Sequence, residues 1–494
     1  RDTLSEQVET NVGDTFSREV MIKSKDAIAE RLGDDGYLFA TVSPIPEVND
    51  DNTVSITYFV TPGKLTYVRR IAIKGNTKTA DEVVRREMRQ IEAAPASSEK
   101  IAASKLRLER TGYFGSVDVE TIPVPGTDDQ VDIEYTITET QSGSFSASLG
   151  YSGEDGLLLG LSVQQDNFLG TGDKVAFSIS KSDSTRTYQL SATDPYYTID
   201  GVSRGYELYY REQDFDEDDV SSYETDEIGA GINFGYPIDE NQRLNFGLTA
   251  ELINVKTSTN TPQEVLDYIQ DEGDEYFNFV VDLSWSDSTF NRGIFPTRGY
   301  RQSASLELGT PIGDLGYYRS SYDVRYYQPF SESEKWVGKL WSRLGYGDSL
   351  GDNEYPFFKH YFAGGIRSVR GYGANSLGPR DTPTGTNTSS DPFGGNVLIT
   401  GGAELIVPTP LLEDSSNVRT SLFIDGGNVF DTSCGQTAAN CDEGIQLDEV
   451  RFSTGLALSW LTPVGPLSFV LGYPLNEKAG DETRTFQFSI GQTF

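Results

Sequence analysis

The sequence predicts a membrane all-β protein: a 16-stranded antiparallel transmembrane β-barrel preceded by small β-α-α-β-β domains. Three observations lead to this prediction. From residue 143 onward, apolar and polar residues alternate with a period of two in one segment after another, as in strands with one oily and one polar face. The links between these segments are short on one rim and long on the other. No run of residues approaches the ~18 apolar positions that a membrane-spanning helix needs.

Composition narrows the class of protein further. The net charge is −35 and no basic stripe is visible, so nucleic acid is not expected as a partner. The chain contains 27 Tyr, 26 Phe and 50 Gly with a mean hydropathy of −0.42. Such a polar, aromatic-rich sequence fits a membrane only if its apolar residues alternate with polar ones.

Two related α/β units precede the alternating segments. The first shows a helix over 18–32, stopped at Gly33, and two short strands over 37–43 and 53–60. It has no opening strand, so we expect the sequence to begin inside a domain. No secretory leader is visible, as expected of a mature or trimmed chain.

The second α/β unit has the full β-α-α-β-β order. It opens with a strand over 67–74, and Thr79 with Glu82 forms a capping-box pattern that predicts a helix over 79–89. The remaining predicted elements are a helix over 98–110 and strands over 115–122 and 130–138.

These patterns predict three domains. They are a partial α/β domain over 1–64, a complete one over 65–140, and the barrel over 141–494. A small α/β module taken alone serves many functions, and a substrate-binding or scaffold domain is the alternative on fold grounds.

Link lengths distinguish two ways of closing the strands: a soluble sandwich with oily faces inside, and a membrane barrel with oily faces outside. Links after even-numbered strands are short, as at 170–172 and 237–241, whereas several after odd-numbered strands are long and acidic, as at 213–225 and 256–274. This asymmetry is typical of outer-membrane barrels. We therefore expect the long loops outside the cell and the α/β units, which enter from the short-turn rim, in the periplasm.

The two cysteines, Cys434 and Cys441, lie in one polar loop on the long-loop side. Their spacing is compatible with a disulfide, which requires an oxidising compartment. The competing interpretation, half of a metal site, lacks partners because the only histidine is His360. We find no nucleophile triad, metal cluster or phosphate loop, so neither a cofactor nor an enzymatic activity is expected.

The longest loop, about 348–395, contains the stretch GGIRSVRGYGANSLGPR at 364–380. Eight of these seventeen residues are Gly or Arg, a composition that suits neither a core strand nor a stable helix. Its centre resembles the VRG[FY] motif in the sixth outer loop of a superfamily of outer-membrane assembly barrels and two-partner secretion pores. The matching residues are Val369, Arg370, Gly371 and Tyr372.

Further segments resemble the assembly branch of that superfamily, at 165–172, 193–202 and 402–410. The α/β units resemble its POTRA domains, the polypeptide-transport modules that precede certain barrels, so the resemblance covers essentially the whole chain. It implies assembly and insertion of β-barrel outer-membrane proteins. The implied partners are unfolded outer-membrane β-barrel proteins, accessory lipoproteins that contact the POTRA domains, and the lipid bilayer.

In the family, the loop folds into the lumen and its arginine contacts acidic residues on the inner wall. The alternation in this sequence identifies two such acidic residues independently. Ala403 and Leu405 are expected to face lipid, so Glu404 should face inward, and the same argument places Asp425 on the inner face. We predict charge-assisted hydrogen bonds from Arg370 to both carboxylates. The alternative is that all three are solvated charges in the lumen.

The barrel must also close its first strand, 143–152, against its last, 485–494. Glycines weaken strands and permit bends, so this closure is expected to be insecure. The resemblance implies that the terminal strand kinks at Gly491 and that the seam acts as a lateral gate. An open seam exposes a strand edge that can template another strand. The candidate seam residues are Phe145, Ala147, Leu149, Gly150, Gly491 and Phe494.

Two other functions compete with assembly. A two-partner-type polypeptide secretion pore shares the loop motif and the POTRA domains, but exports its substrate through the lumen. A passive diffusion porin is disfavoured because porins lack POTRA domains and a loop of this composition.

Overall fold

The computed structural model describes residues 2–218, 220–351, 354–386, 389–409, 417–432, 444–462 and 465–491. The chain forms two compact units. The first contains residues 1–143 together with 165–173, and the second contains 144–164 and 174–494.

The first α/β region of the first unit contains α1 Asp2–Ser5, α2 Arg18–Asp34, β1 Thr41–Val48 and β2 Val54–Thr61. The strand predicted over 37–43 is displaced, because the backbone N–H of Tyr37 donates to Leu32 O and that of Ala40 donates to Tyr37 O. Residues 37–40 therefore form the turn that leaves the helix. The helix itself continues through Gly33, a small difference at a helix end.

Strand β1 pairs antiparallel with β2 and carries Pro44 and Pro46. The backbone N–H of Asn49 donates to Thr53 O across the hairpin. Because bonded and non-bonded positions alternate along an antiparallel pair, odd-numbered residues of β1 bond to β2 and even-numbered ones face the other edge. Both prolines, which have no N–H, therefore lie on the edge of β1 that is open in the described two-stranded sheet.

The second α/β region contains β3 Tyr67–Lys74, α3 Asp81–Arg85, α4 Ser98–Arg110, β4 Phe114–Pro123 and β5 Gln130–Glu139. The sheet order is β3-β5-β4, with β3 parallel and β4 antiparallel to β5. Its core is formed by apolar side chains from both helices and all three strands, among them Val68, Val84, Leu108, Phe114 and Ile133. The β-α-α-β-β order is the one the sequence predicted.

The predicted capping box at Thr79 is wrong. Helix α3 begins at Asp81 after Ala80, which makes no side-chain cap, and it ends at Arg85. Thr79 has other partners: its N–H donates to Glu139 Oε1 at 2.6 Å, and its Oγ1 accepts a hydrogen bond from Asn167 Nδ2 at 2.8 Å. These bonds hold Thr79 outside the helix.

Sixteen strands of the described chain close into one antiparallel barrel, in which each strand neighbours the next along the sequence. The predicted fold class is confirmed. The strands are β6 Gly143–Ser152, β7 Gly156–Phe168, β8 Asp173–Lys181, β9 Thr185–Asp194, β10 Ser203–Asp214, β11 Tyr223–Pro237, β12 Gln242–Thr257, β13 Glu275–Ser288, β14 Gly299–Gly309, β15 Tyr317–Pro329, β16 Val337–Ser349, β17 Val397–Val407, β18 Val418–Phe430, β19 Arg451–Thr462, β20 Gly465–Pro474 and β21 Phe486–Ile490.

Side chains alternate around the barrel wall with their apolar members outside. On β18, Leu422 and Ile424 are 47% and 49% exposed, whereas the intervening Phe423 and the following Asp425 are buried. This is the alternation of a wall whose outer face meets lipid. None of the helices in the described ranges combines the length and the apolar character needed to cross a bilayer.

A short helix and several loops build an aromatic core at the long-loop rim. The helix is α5 Gln263–Glu272, between β12 and β13. Its Tyr268 packs against Phe357 of the long loop, and both are buried with Tyr223 and Tyr276. The start of the long loop is thereby anchored to other segments of the same rim.

Candidate functional site: the inward loop and the barrel seam

The long loop between β16 and β17 is packed rather than solvated. Val369 and Tyr372 are completely buried, in a cluster with Tyr361, Leu377 and Val429. Tyr361 and Gly395 exchange backbone hydrogen bonds, and Leu377 N–H donates to Ala363 O. Apolar contacts and backbone hydrogen bonds therefore support the Gly-rich stretch on both sides of the motif.

Arg370 lies between two carboxylates. Its Nε is 2.6 Å from Asp425 Oδ2 and its Nη2 is 2.8 Å from Asp425 Oδ1, while Nη2 is also 3.0 Å from Glu404 Oε1. The guanidinium carbon sits 3.7 Å from the centre of the Phe423 ring. The side chain of Arg370 is only 9% exposed, so these are buried, charge-assisted contacts.

Glu404 has a second cation. Lys339 Nζ lies 2.9 Å from Glu404 Oε1, and Ser421 Oγ donates to the other carboxylate oxygen at 3.2 Å. Lys339 faces Glu404 directly across the β16–β17 ladder. Sequence reasoning missed Lys339, although the same alternation that turns Glu404 inward would have found it.

The motif also contacts the last strand of the barrel. Gly371 N–H donates to Gln487 Oε1 at 3.0 Å, and Gln487 Nε2 donates to Tyr372 O at 2.9 Å. Gly371 has φ of +94°, and an added Cβ would stand 3.2 Å from the carbonyl carbon of Gly472, so a side chain here would be strained in conformation and tightly packed against Gly472. Sequence reasoning missed Gln487, which lies between Phe486 and Phe488 on the alternating β21.

The first outer turn, between β6 and β7, holds the same loop. Ile366 N–H donates to Glu154 Oε1 at 2.6 Å, and Arg367 pairs with Asp155. Burial raises the pKa of Glu154, whereas the Ile366 N–H and the Arg367 charge lower it. The loop is therefore tied to both strands that form the seam: to β6 through this turn and to β21 through Gln487.

A second buried cation fixes the start of the loop. Lys359 Nζ lies 2.9 Å from Glu307 Oε1 and 3.7 Å from Glu251 Oε1, and Tyr317 Oη donates to Glu307 at 2.5 Å. The side chain of Lys359 is 16% exposed and that of Glu251 is 4% exposed. No sequence signal distinguished this lysine, because it follows an aromatic run in a non-periodic loop.

Within the described residues, the seam between β6 and β21 is short. Two ladder pairs join the strands, Tyr151 with Ile490 and Ser152 with Ser489, and Gly153 N–H donates to Phe488 O just beyond them, whereas β11 and β12 pair along the whole of β11. Gly491, with φ of +82°, follows the last residue of β21. The strand predicted over 485–494 thus spans only Phe486–Ile490 in the described residues.

The predicted seam residues lie as follows. Phe145 and Leu149 are 70% and 67% exposed and Ala147 is also exposed, whereas Gly150 is buried. Gly150 and Gly491 are brought together, since a Cβ on Gly491 would stand 3.0 Å from Leu149 O and 3.1 Å from Gly150 Cα. Phe494, Cys434 and Cys441 lie outside the described residues, so the predicted disulfide does too.

Comparison with known proteins assigns the family. Residues 167–494 match the model of the Omp85 superfamily domain. The chain belongs to the Omp85 superfamily. Residues 1–63 and 66–140 match the POTRA model, described as a surface antigen variable number repeat. Membership of the Omp85 superfamily, together with the barrel fold, places the chain in the outer membrane of a Gram-negative bacterium.

Individual relatives agree with this assignment. Outer membrane protein assembly factor BamA of Neisseria meningitidis serogroup B is 36% identical over 98% of the chain, which spans 63% of that relative's length. The crystal structure of BamA from Haemophilus ducreyi lacking POTRA domains 1–3 matches with a TM-score of 0.90 at 34% identity, covering 100% of this chain and 97% of that one. By name these Omp85 relatives are assembly factors, in agreement with the expectation that the chain is not an enzyme.

A more distant structure shares the fold alone. CdiB from Acinetobacter baumannii matches with a TM-score of 0.54 at 14% identity, covering 99% of this chain and 85% of that one.

Proposed function

We propose that the chain assembles β-barrel outer-membrane proteins and inserts them into the bilayer by templating client strands at the seam between β6 and β21. The observation that carries the proposal is the brevity of this seam within the described residues, where two ladder pairs and the bond from Gly153 N–H to Phe488 O join β6 to β21. From Gly143 to Gly150, β6 has no ladder partner on this side among the described residues. An unpaired strand edge is a template for an incoming strand.

The proposed sequence of events needs no covalent chemistry. POTRA domains in the periplasm receive unfolded outer-membrane protein, partly by edge pairing, and accessory lipoproteins bind the same domains. The terminal strand of the client then pairs with β6, and the client barrel grows and leaves into lipid. Phe145, Ala147 and Leu149, which are exposed on β6, would contact the client strand or the surrounding lipid.

The Arg370 loop bears on this mechanism because it contacts both sides of the seam. It bonds to Gln487 of β21 and to Glu154 and Asp155 beside β6. In the proposal, the buried charges hold the loop and β21 in position, and the bonds of the loop to Glu154 and Asp155 break when the two strands separate. The extracellular placement of the loop and the periplasmic placement of the POTRA domains belong to the same proposal.

A covalent lock on the seam tests the mechanism. Tyr151 and Ile490 are directly opposite, so Tyr151→Cys with Ile490→Cys, in a background with Cys434→Ser and Cys441→Ser, allows a cross-strand disulfide. We expect oxidation to stop insertion of an unfolded client barrel into proteoliposomes, and reduction to restore it. The matched control is Tyr206→Cys with Ile232→Cys, opposite positions on β10 and β11, where oxidation should leave insertion unchanged.

Undiminished insertion by the fully oxidised seam variant would rule out templating at this seam. The same variant separates assembly from two-partner-type secretion. A secretion pore passes its substrate through the lumen, so it would continue to export with its seam locked.

A further inference from the structure

The barrel interior contains a cavity of about 310 Å³ near the short-turn rim. Its lining residues lie close to the ends of strands that meet at short turns. Tyr327 is two residues before the end of β15, Lys339 two residues after the start of β16, and Arg419 one residue after the start of β18. All of these residues belong to the barrel unit.

The lining is basic in a strongly acidic protein. The two carboxylates in it are Asp323 and Glu404, and Asp155 and Asp425 pair with Arg367 and Arg370. Among the described residues, six cations therefore stand against four carboxylates, although the net charge of the chain is −35. The cationic residues of the lining are Arg325, Lys339, Arg343, Arg367, Arg370 and Arg419.

The excess positive charge has two locations. Arg325 and Arg343 share a single carboxylate, with their Nε atoms 3.5 and 3.1 Å from Asp323. Arg419 donates to Pro296 O at 2.7 Å and lies 4.7 Å from the centre of the Phe295 ring. Within the described ranges, no carboxylate stands at ion-pair distance from Arg419.

We propose that this cavity binds an acidic polypeptide segment in an extended conformation. The cations are distributed from β15 to β18, three strand spacings of about 4.8 Å, so they span roughly 14 Å. That span suits several carboxylates along a chain better than one small anion. The side chains of Arg325 and Arg343 are 38% and 42% exposed to the cavity, and their planar forks match carboxylate geometry.

The lining also accommodates the uncharged part of such a segment. The rings of Phe295 and Trp341 lie among the cations, and they offer apolar surface to alternate side chains. The inference rests on the proposed function, which supplies unfolded polypeptide at the short-turn rim. It adds a chemical preference, because a client segment with carboxylates would be held in the lumen while another part pairs at the seam.

Peptide binding to the full chain in detergent micelles tests the inference. The probe is a rhodamine-labelled peptide of alternating Glu and Phe, compared with its Gln and Phe counterpart by fluorescence anisotropy. We expect salt-sensitive binding of the acidic peptide only. Arg419→Gln and Arg343→Gln should each weaken it about tenfold, the loss of one charge-assisted hydrogen bond.

Arg186→Gln is the matched control, because Arg186 pairs with Glu212 at 2.9 Å and does not line the cavity. Equal binding of the two peptides, or equal weakening by all three substitutions, would overturn the inference. So would displacement of the peptide by an equimolar concentration of inorganic phosphate, which would indicate a small-anion site. Binding is measured without client or bilayer, so its failure is distinct from failure of the locked-seam insertion assay.

Discussion

Arg370 and Asp425 form a two-point contact, with Nε and Nη2 of the guanidinium 2.6 and 2.8 Å from the two carboxylate oxygens. Asp425 is completely buried and the Arg370 side chain is 9% exposed. Because the partners come from an outer loop and from β18, this contact fixes the depth of the loop inside the barrel. Removing Arg370 leaves the buried Asp425 carboxylate without its cation, whereas removing Asp425 leaves Arg370 with Glu404 as its remaining carboxylate.

Arg370→Ala is therefore expected to lower the free energy of unfolding by about 3–5 kcal/mol, the cost of breaking a buried ion pair from one side. It should also make the loop sensitive to protease. The control is Arg380→Ala in the same loop, whose guanidinium lies 3.5 Å from the 44% exposed Glu482 and donates to Ser390 O and Gly480 O. That control should cost about 1–2 kcal/mol, because its ion pair is partly exposed and its other bonds are to neutral carbonyls. Equal, small effects on unfolding and proteolysis would contradict a structural role for the Arg370 pair.

Lys359→Met is expected to destabilise the barrel by a similar amount, about 3–5 kcal/mol. It leaves the carboxylates of Glu307 and Glu251 buried without their cation. Adding Glu251→Gln to Lys359→Met should recover part of the loss, since it removes one of the uncompensated charges. Urea unfolding in micelles measures both variants, and additive destabilisation in the double variant would show that the two side chains do not interact.

Gly491→Ala is expected to reduce closure of the seam. Its left-handed backbone costs a side chain about 1–2 kcal/mol, and the new Cβ would press on Leu149 O and Gly150 Cα. Gly480→Ala is the matched control, because Gly480 has φ of +94° with nothing within 4 Å of its added Cβ. The yield of the disulfide between Tyr151→Cys and Ile490→Cys should fall with Gly491→Ala only. An equal fall with both would assign the effect to general strain.

Glu139 is expected to make the second POTRA domain sensitive to acid. Burial raises the pKa of Glu139, but hydrogen bonds from Thr77, Thr79 and Lys78 outweigh it and lower the pKa from 4.5 to about 2. Its contribution to stability is thus complete above pH 4.5 and is lost as the pH falls from there through 2.

Hydrogen exchange of the Lys78 and Thr79 amides, which donate to this carboxylate, measures that loss. Protection should fall over the same pH interval after correction for intrinsic exchange. In Glu139→Gln the protection should be lower and independent of pH in this interval. If the wild-type profile is as flat as that of the variant, Glu139 does not stabilise the segment that contains Lys78 and Thr79.

Regular structure in this chain could be predicted from the sequence, because strand and wall periodicity are local properties. Alternation predicted the sixteen strands and turned Glu404 and Asp425 toward the lumen, where the structure places them beside Arg370. The remaining partners of the loop are set by tertiary packing. Lys359 and Glu154 lie in segments without periodicity, so nothing local predicts which strand each one meets. Thr79 shows the converse. The capping-box pattern is present in the sequence, but hydrogen bonds with Glu139 and Asn167 hold Thr79 outside the helix.

Pro44 and Pro46 make the open edge of β1, in the first POTRA region, a poor pairing partner for another strand. A strand arriving beside β1 would find two consecutive docking positions without a hydrogen to share. Under the proposed function, this edge would disfavour pairing of an unfolded client strand with β1. Strand β4, an edge of the second POTRA sheet, has no proline before its last residue, Pro123, so the same proposal favours β4 over β1 as the pairing edge.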